Sequence, residues 1–171
     1  MEQNNPTQLK TAMNYGAAAG LSIIVLQVLF YLIDISSLQD FLDYILIILF
    51  IVLGLRNYRD KHLGGFISYG KSLGTGTLII FFCGILAGFF NYVFHSFIDP
   101  GQFNSNLNLI IEQMENSGTP EEQVDMFIKM MTPFTFAVAE VMGYTLLGFI
   151  FSLIIALFIR KTDDSFESEM K

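Results

Sequence analysis

The chain has 171 residues, of which 53% are hydrophobic and 15% are charged, and its formal net charge is −7. Soluble domains carry about 25% charged residues, so this composition indicates contact with lipid rather than a large water-facing surface. Cys83 is the single cysteine, which excludes an intrachain disulfide. It lies in an apolar run, and this placement is typical of a small packing residue.

Four apolar stretches have about the length that a helix needs to cross a hydrocarbon core, which takes about 20 residues. The predicted spans are residues 12–33, 38–55, 73–97 and 134–159. None of the four contains Lys or Arg, but the second has a short charge-free core, 44–55, with Asp40 and Asp43 at its start. The sequence therefore predicts an all-α, integral membrane four-helix bundle with a short, peripheral second span.

Polar segments surround and connect these spans. Residues 1–11 and 162–171 are predicted to be cytoplasmic, the latter as a disordered tail, and the four-span domain is assigned to 12–161. The sizeable loop, 98–133, is predicted to be helical and extracytoplasmic, with one helix from about Leu107 to Glu115. A second helix is predicted after Thr119, which begins a capping-box pattern with Pro at the first helical position.

The distribution of charge predicts the orientation, because Lys and Arg favour the cytoplasmic side of a membrane. With the N-terminus inside and four spans, eight of the nine basic residues are cytoplasmic, and only Lys129 is outside. Of the acidic residues, ten fall on the outer side and six on the inner side. If the short second span did not cross, the basic segment 56–71 would lie outside, so the same rule supports four spans.

Small residues at four-residue spacing mark the faces on which membrane helices pack closely. Such pairs occur in the first, third and fourth spans: Gly16 and Gly20, Gly84 and Gly88, Ala139 and Gly143. We expect these faces to pack within one chain. The same residues also suit a homo-oligomer or a membrane partner protein, and that alternative stays open.

Polar side chains inside a membrane are costly and need partners. Four such residues are predicted at similar depth near the outer side: Gln27, Asn91, His95 and Glu140. Asn91 and His95 share one face of the third span, which can meet Glu140 of the fourth. Two interpretations remain open. The cluster is either an interhelical hydrogen-bond network, or a polar site for an ion, a proton or a small molecule in which His95 and Glu140 titrate.

Other ligands are not expected. Residues 65–72, from Gly65 to Ser72, match the phosphate-loop pattern, but a basic loop precedes them and a transmembrane helix follows, so no nucleotide is expected. His62 and His95 fall on opposite sides of the bilayer, which excludes a two-histidine metal site in one chain. No cofactor, metal or nucleic acid is predicted, and the lipid bilayer is the expected environment.

Several segments together resemble a known family. They are 15–20 (YGAAAG), 66–71 (FISYGK), the glycine-rich third span, Tyr92, the Asp99-Pro100 pair and an acidic loop with a Met-rich end. Over about residues 8–161 the chain resembles the membrane proteins catalogued as domain of unknown function 4199, found mainly in the Bacteroidetes. The resemblance implies a four-span protein of the bacterial inner membrane with no assigned activity. It supplies no catalytic residues.

The function expected from the sequence is correspondingly broad. The first interpretation is a non-enzymatic membrane component that packs with itself or with a partner. The alternative is a small permease or ligand-binding membrane protein that uses the outer polar cluster. An intramembrane enzyme is disfavoured, because the sequence offers no evident nucleophile–base pair.

Overall fold

The computed structural model describes residues 6–33 and 38–161. These residues form six α-helices, with a π-helical turn, Phe94–Ile98, that extends the third: α1 (Pro6–Ile33), α2 (Gln39–His62), α3 (Tyr69–Val93), α4 (Pro100–Asn116), α5 (Glu121–Met130) and α6 (Pro133–Ile159). Within these described residues, β pairing is limited to one isolated antiparallel bridge, between Ile67 and Lys161. The predicted tail, 162–171, and the first five residues lie outside the described ranges.

Four of the helices are long and apolar enough to cross a membrane: α1, α2, α3 with its π-helical extension, and α6. The predicted all-α membrane bundle is therefore confirmed. Its two ends are distinguished by their contacts. At the end called here the terminal end, Gln8 of α1 bonds Thr75 and Tyr69 bonds the carbonyl of Leu153. At the opposite end, called the loop end, Tyr31 bonds Asp99 next to α4.

The central element of the bundle is α3, which packs most extensively against α6 and then against α1. Its contacts with α1 involve Gly16 and Gly20, whose Cα atoms lie against Ile79, Phe82 and Cys83. Its contacts with α6 come from a different face, where Gly84 and Gly88 approach Val141 and the backbone of Ala137. A side chain at any of these glycines would push the helices apart, so close packing depends on them.

Helix α6, which is the fourth span, does not use the predicted pair for packing. Ala139 and Gly143 are exposed, and a Cβ atom added at Gly143 would meet nothing within 4 Å. The prediction that these two residues pack the bundle is therefore wrong. The face that meets α3 instead carries Ala137, Val141 and Gly148, and the first two of these precede Ala139 and Gly143 by two residues, which turns the predicted pair to the other side of the helix.

Helix α2 is more than a peripheral element. A full stripe of its side chains is buried in the core: Ile47, Ile51, Leu55 and Tyr58. Gly54 lies against Tyr15 and Ile79, so α2 also has a point of close approach. The helix continues to His62, about two turns beyond the predicted end of the span, because Arg56, Arg59 and Lys61 are good helix formers that extend it past the apolar segment.

The two helices of the loop form as expected, but their starts differ from the prediction. α4 begins at Pro100 rather than near Leu107, because the Asp99 side chain accepts a hydrogen bond from the backbone N–H of Gln102 and caps the helix. The capping box expected at Thr119 is not formed: the residue that precedes α5 is Pro120, and no side-chain bond caps this helix. A capping box is present at α6, where Thr132 and Thr135 bond reciprocally.

The α1–α3 contact leads to a testable prediction. A Cβ atom at Gly16 would lie 2.5 Å from the carbonyl oxygen of Ile79 and 2.7 Å from the Cβ atom of Phe82. We therefore expect Gly16→Ala to lower stability by about 1–3 kcal/mol and to reduce the melting temperature in detergent. Gly143→Ala is the matched control, and it should leave that temperature unchanged. Equal melting temperatures for the two variants would contradict the observed packing.

Candidate functional site

Three of the four predicted polar residues form a hydrogen-bonded chain across the bundle near its loop end. Gln27 of α1 donates from Nε2 to Oδ1 of Asn91 at 2.6 Å. Asn91 of α3 in turn donates from Nδ2 to Oε1 of Glu140 on α6, also at 2.6 Å. This polar chain, Gln27–Asn91–Glu140, connects α1 to α6 through the buried amide of Asn91 on α3.

The direction of the polar chain determines what each oxygen of Glu140 can do. Oε1 accepts from an amide N–H, so a proton bound to this carboxyl belongs on the other oxygen, Oε2. Oε2 is buried and has no hydrogen-bond partner within the described ranges. A buried polar atom left without a partner usually marks a strained, functional or ligand-binding position. At this carboxyl the oxygen that remains available to a ligand is therefore Oε2.

A second carboxylate, which sequence reasoning did not include in the site, lies nearby. Asp43 of α2 is only 9% exposed, and its charge acts on both Glu140 and Cys83. From the sequence, Asp43 is only one of two acids at the start of the short second span. Its register gives the missing signal, because Asp43 precedes the buried Ile47 and Ile51 at four-residue steps. The stripe that defines the core face of α2 thus begins with an acid.

His95 lies apart from the polar chain. It is in the π-helical turn, and its ring contacts the rings of Phe103 and Phe136 at centroid distances of 5.9 and 5.7 Å. Its Nδ1 atom is buried without a hydrogen-bond partner in the part of the chain that the structure describes. The predicted pairing of His95 with Glu140 is not formed, because the wider π-helical turn and the neighbouring aromatic rings place the imidazole under α4.

The loop covers this end of the bundle through one polar contact and one aromatic cluster. Asp99 accepts from the hydroxyl of Tyr31 at 2.9 Å and from the backbone N–H of Gln102 at 2.9 Å. The bond from Gln102, followed by the bond from Tyr31, lowers the pKa of Asp99, since both donors favour the ionised carboxylate. Phe103 of α4 is buried against His95 and Phe136 and anchors the loop beside the polar chain.

The segment with the phosphate-loop pattern is the entrance to α3. Gly65 adopts a φ of +92°, Ile67 pairs with Lys161 by two backbone hydrogen bonds, and Ser68 caps the helix. Ser72, whose hydroxyl would reach a magnesium ion in a phosphate loop, is fully buried within the bundle. The geometry is that of a turn joining α2 to a membrane-crossing helix.

Cationic side chains are remote from Glu140. Most of the described ones belong to the terminal end: Lys10, Arg56, Arg59, Lys61, Lys71, Arg160 and Lys161. No Lys or Arg forms an ion pair with Glu140 within the described ranges, and no group of three His, Cys, Asp or Glu side chains there is arranged to hold a metal ion. Within the described ranges the site therefore presents the Glu140 carboxyl, joined to two amides, without a Lys or Arg partner.

Comparison with known proteins gives one match. A family model described as "Protein of unknown function (DUF4199)" matches residues 14–161, which is most of the chain and agrees with the resemblance seen in the sequence. No curated protein matches the chain. No solved structure matches it either.

The contacts of Asp99 predict a pH dependence. A carboxylate with a lowered folded-state pKa stabilises the fold above its unfolded pKa of about 3.9, and this contribution is lost as the pH falls through the folded value. Asp99→Asn keeps a helix-capping residue but removes the charge. We therefore expect its melting temperature to fall less than that of the wild type between pH 5 and about pH 2. Asp125→Asn, at an exposed carboxyl of α5 that accepts no hydrogen bond from the described residues, is the control and should follow the wild type.

Proposed function

Because the chain belongs to the DUF4199 family, whose description assigns no activity, we propose a function from the site alone. The chain is a non-enzymatic, multi-pass membrane protein whose buried polar site reversibly binds a small cation, in the simplest case a proton, at Oε2 of Glu140. The ligand class follows from the chemistry of the residues that surround this atom.

The observation that carries the proposal is the unpartnered oxygen of Glu140. One oxygen of this carboxyl is engaged by Asn91, while the other is buried and unpaired within the described ranges. Leaving a buried acceptor unsatisfied costs about 1–3 kcal/mol, and more if the group is charged. A proton on Oε2 removes the charge and with it the larger part of that cost, whereas a monovalent cation beside Oε2 balances the charge directly.

Electrostatics supports the same conclusion. An ionised carboxylate in a low-dielectric interior costs several kcal/mol unless an opposite charge accompanies it. The charge of Asp43 also acts on Glu140 and disfavours a second negative charge there, which supports uptake of a positive charge at Glu140.

The rival interpretation is structural. In that view the polar chain serves only to hold α1, α3 and α6 together by hydrogen bonds, and Glu140 needs to be no more than an acceptor. Glu140→Gln separates the two cases. A Gln side chain still accepts a hydrogen bond from Asn91 through its amide oxygen, but the amide has no carboxyl group that could take up a proton. A structural role tolerates this substitution, whereas a cation site does not.

The orientation proposed with this function has both termini in the cytoplasm and the polar site near the outer face of a bacterial inner membrane. The gathering of seven basic residues at the terminal end supports it, because such residues remain on the cytoplasmic side. α4 and α5 are then extracytoplasmic and cover the site from the outside.

The proposal predicts a chemical reactivity. Dicyclohexylcarbodiimide is apolar and adds to protonated carboxyls within membranes, so the purified protein in detergent should be labelled at Glu140. Mass spectrometry of peptides should show more labelling at low pH than at high pH, and less at constant pH if Na⁺ or Li⁺ competes with the proton. Glu140→Gln should abolish this label and remove the part of the pH dependence of the melting temperature that Glu140 supplies.

Glu112→Gln is the matched control, since Glu112 is exposed on α4 and accepts no hydrogen bond from any described residue. It should leave the labelling of Glu140 intact. Absence of labelling at Glu140 at every pH, together with equal melting temperatures of the wild type and Glu140→Gln, would refute the cation site. The structural role of the polar chain would then stand alone.

A further inference from the structure

A groove of about 370 Å³ lies between α2 and α6 at the terminal end of the bundle, opposite to the polar chain. The residues that line it are Val52, Arg56, Arg59, Asp60, Ile155, Phe158 and Ile159. Neither the family description nor the cation site involves these residues. The groove is therefore a separate feature of the molecule, and the following inference does not depend on the function proposed above.

Of the two arginines that line the groove, one forms an ion pair with a neighbouring residue and the other forms none with any described residue. Arg59 binds both carboxylate oxygens of Asp60, at 2.7 and 3.3 Å, and donates to the carbonyl oxygen of Ile159. Arg56 is exposed and makes no hydrogen bond or ion pair with any described residue, although its charge reaches Asp60. Because Arg59 and Asp60 neutralise each other, Arg56 provides the unbalanced positive charge of the groove.

A further positive charge lies close by. The charge of Lys161 also acts on Asp60, and its ammonium lies 5.7 Å from the centre of the Phe66 ring. This contact holds the side chain at the surface next to the groove. The mouth of the groove is therefore cationic, and it suits an anion better than a neutral or zwitterionic group.

The part of the groove nearer the membrane centre is apolar and faces the lipid. Val52 and Ile155 lie one helical turn closer to the membrane centre than Arg56 and Ile159, since α2 and α6 run in the same direction. Phe158 is 83% exposed, the highest value among the large apolar side chains described as exposed. The groove thus changes from charged to apolar along the membrane normal.

We propose that this α2–α6 groove binds one anionic phospholipid, with its phosphate at the guanidinium of Arg56 and an acyl chain along Val52, Ile155 and Phe158. Arginine forms bidentate, charge-assisted hydrogen bonds with phosphate oxygens. Basic pockets between transmembrane helices on the cytoplasmic side bind anionic head groups by the same chemistry. The apolar wall favours a lipid over free phosphate, because an isolated anion would leave that wall uncovered.

The test is a lipid titration of the purified protein in detergent, with the melting temperature as the measure of binding. Phosphatidylglycerol should raise the melting temperature in a saturable manner, whereas phosphatidylcholine with the same acyl chains should have little effect. Arg56→Gln should weaken the apparent affinity for phosphatidylglycerol on the order of tenfold. Val52→Trp, which fills the apolar part but retains both arginines, should also weaken it.

Arg160→Gln is the matched control, because Arg160 is an exposed residue at the same end that does not line the groove. It should bind phosphatidylglycerol as the wild type does. Three results would each overturn the proposal: equal stabilisation by phosphatidylcholine, equal stabilisation by glycerol 3-phosphate without acyl chains, or an unchanged affinity in both Arg56→Gln and Val52→Trp.

Discussion

The hydrogen bond between Asn91 and Glu140 is the interaction on which this account depends. A carboxyl group between membrane helices has no water to solvate it, so its position must be compensated by other polar groups. Asn91 supplies one donor, and it is itself oriented by Gln27. The resulting chain leaves a single oxygen of Glu140 unsatisfied among the described residues. The chemistry of the site therefore depends on the group that pairs with that oxygen.

The geometry of the polar chain follows from the packing of α3. Gly84 and Gly88 allow α6 to approach the backbone of α3 closely, and on the same two helices Asn91 and Glu140 are brought to 2.6 Å. Gly16 and Gly20 do the same for α1, which brings Gln27 within reach of Asn91. Small residues therefore position the polar ones, because amide side chains are too short to connect helices held apart by bulky residues.

The bundle separates its charges by end. Acidic groups occupy its interior near the loop, where no cation pairs with Glu140 within the described ranges, while basic residues collect at the terminal end around the α2–α6 groove. This separation is what the positive-inside rule requires of a membrane protein. It also gives the proposed cation site acidic surroundings at one end of the bundle and the proposed lipid site basic surroundings at the other.

Much of the fold could be read from the sequence, because hydropathy over about 20 residues is a strong signal. The polar cluster was partly predictable for the same reason, since Gln27, Asn91 and Glu140 are the conspicuous polar residues within apolar runs. Other features depend on how each helix is rotated about its own axis, and the composition of a span does not indicate this rotation. Ala139 and Gly143 have the right spacing but face outward, and Asp43 has a core register although it begins a span.

His95 shows a further limit of sequence-based reasoning. Regular α-helical spacing places it on the face of Asn91, but the π-helical turn at Phe94–Ile98 changes the register at this point and directs the ring to Phe103. No simple sequence signal marks such a turn. Within the polar cluster, the expected contacts form for Gln27, Asn91 and Glu140, which lie in regular helix, and not for His95, where the hydrogen-bonding pattern of the helix changes.

Infrared difference spectroscopy between high and low pH measures the protonation of Glu140 most directly, through the carbonyl stretch of a protonated carboxyl. The account predicts a pH-dependent band that Glu140→Gln removes, that Glu112→Gln leaves in place, and that Asn91→Leu shifts, because Oε1 then loses its donor. A wild-type spectrum without such a band, or a band that persists unchanged in Glu140→Gln, would contradict it.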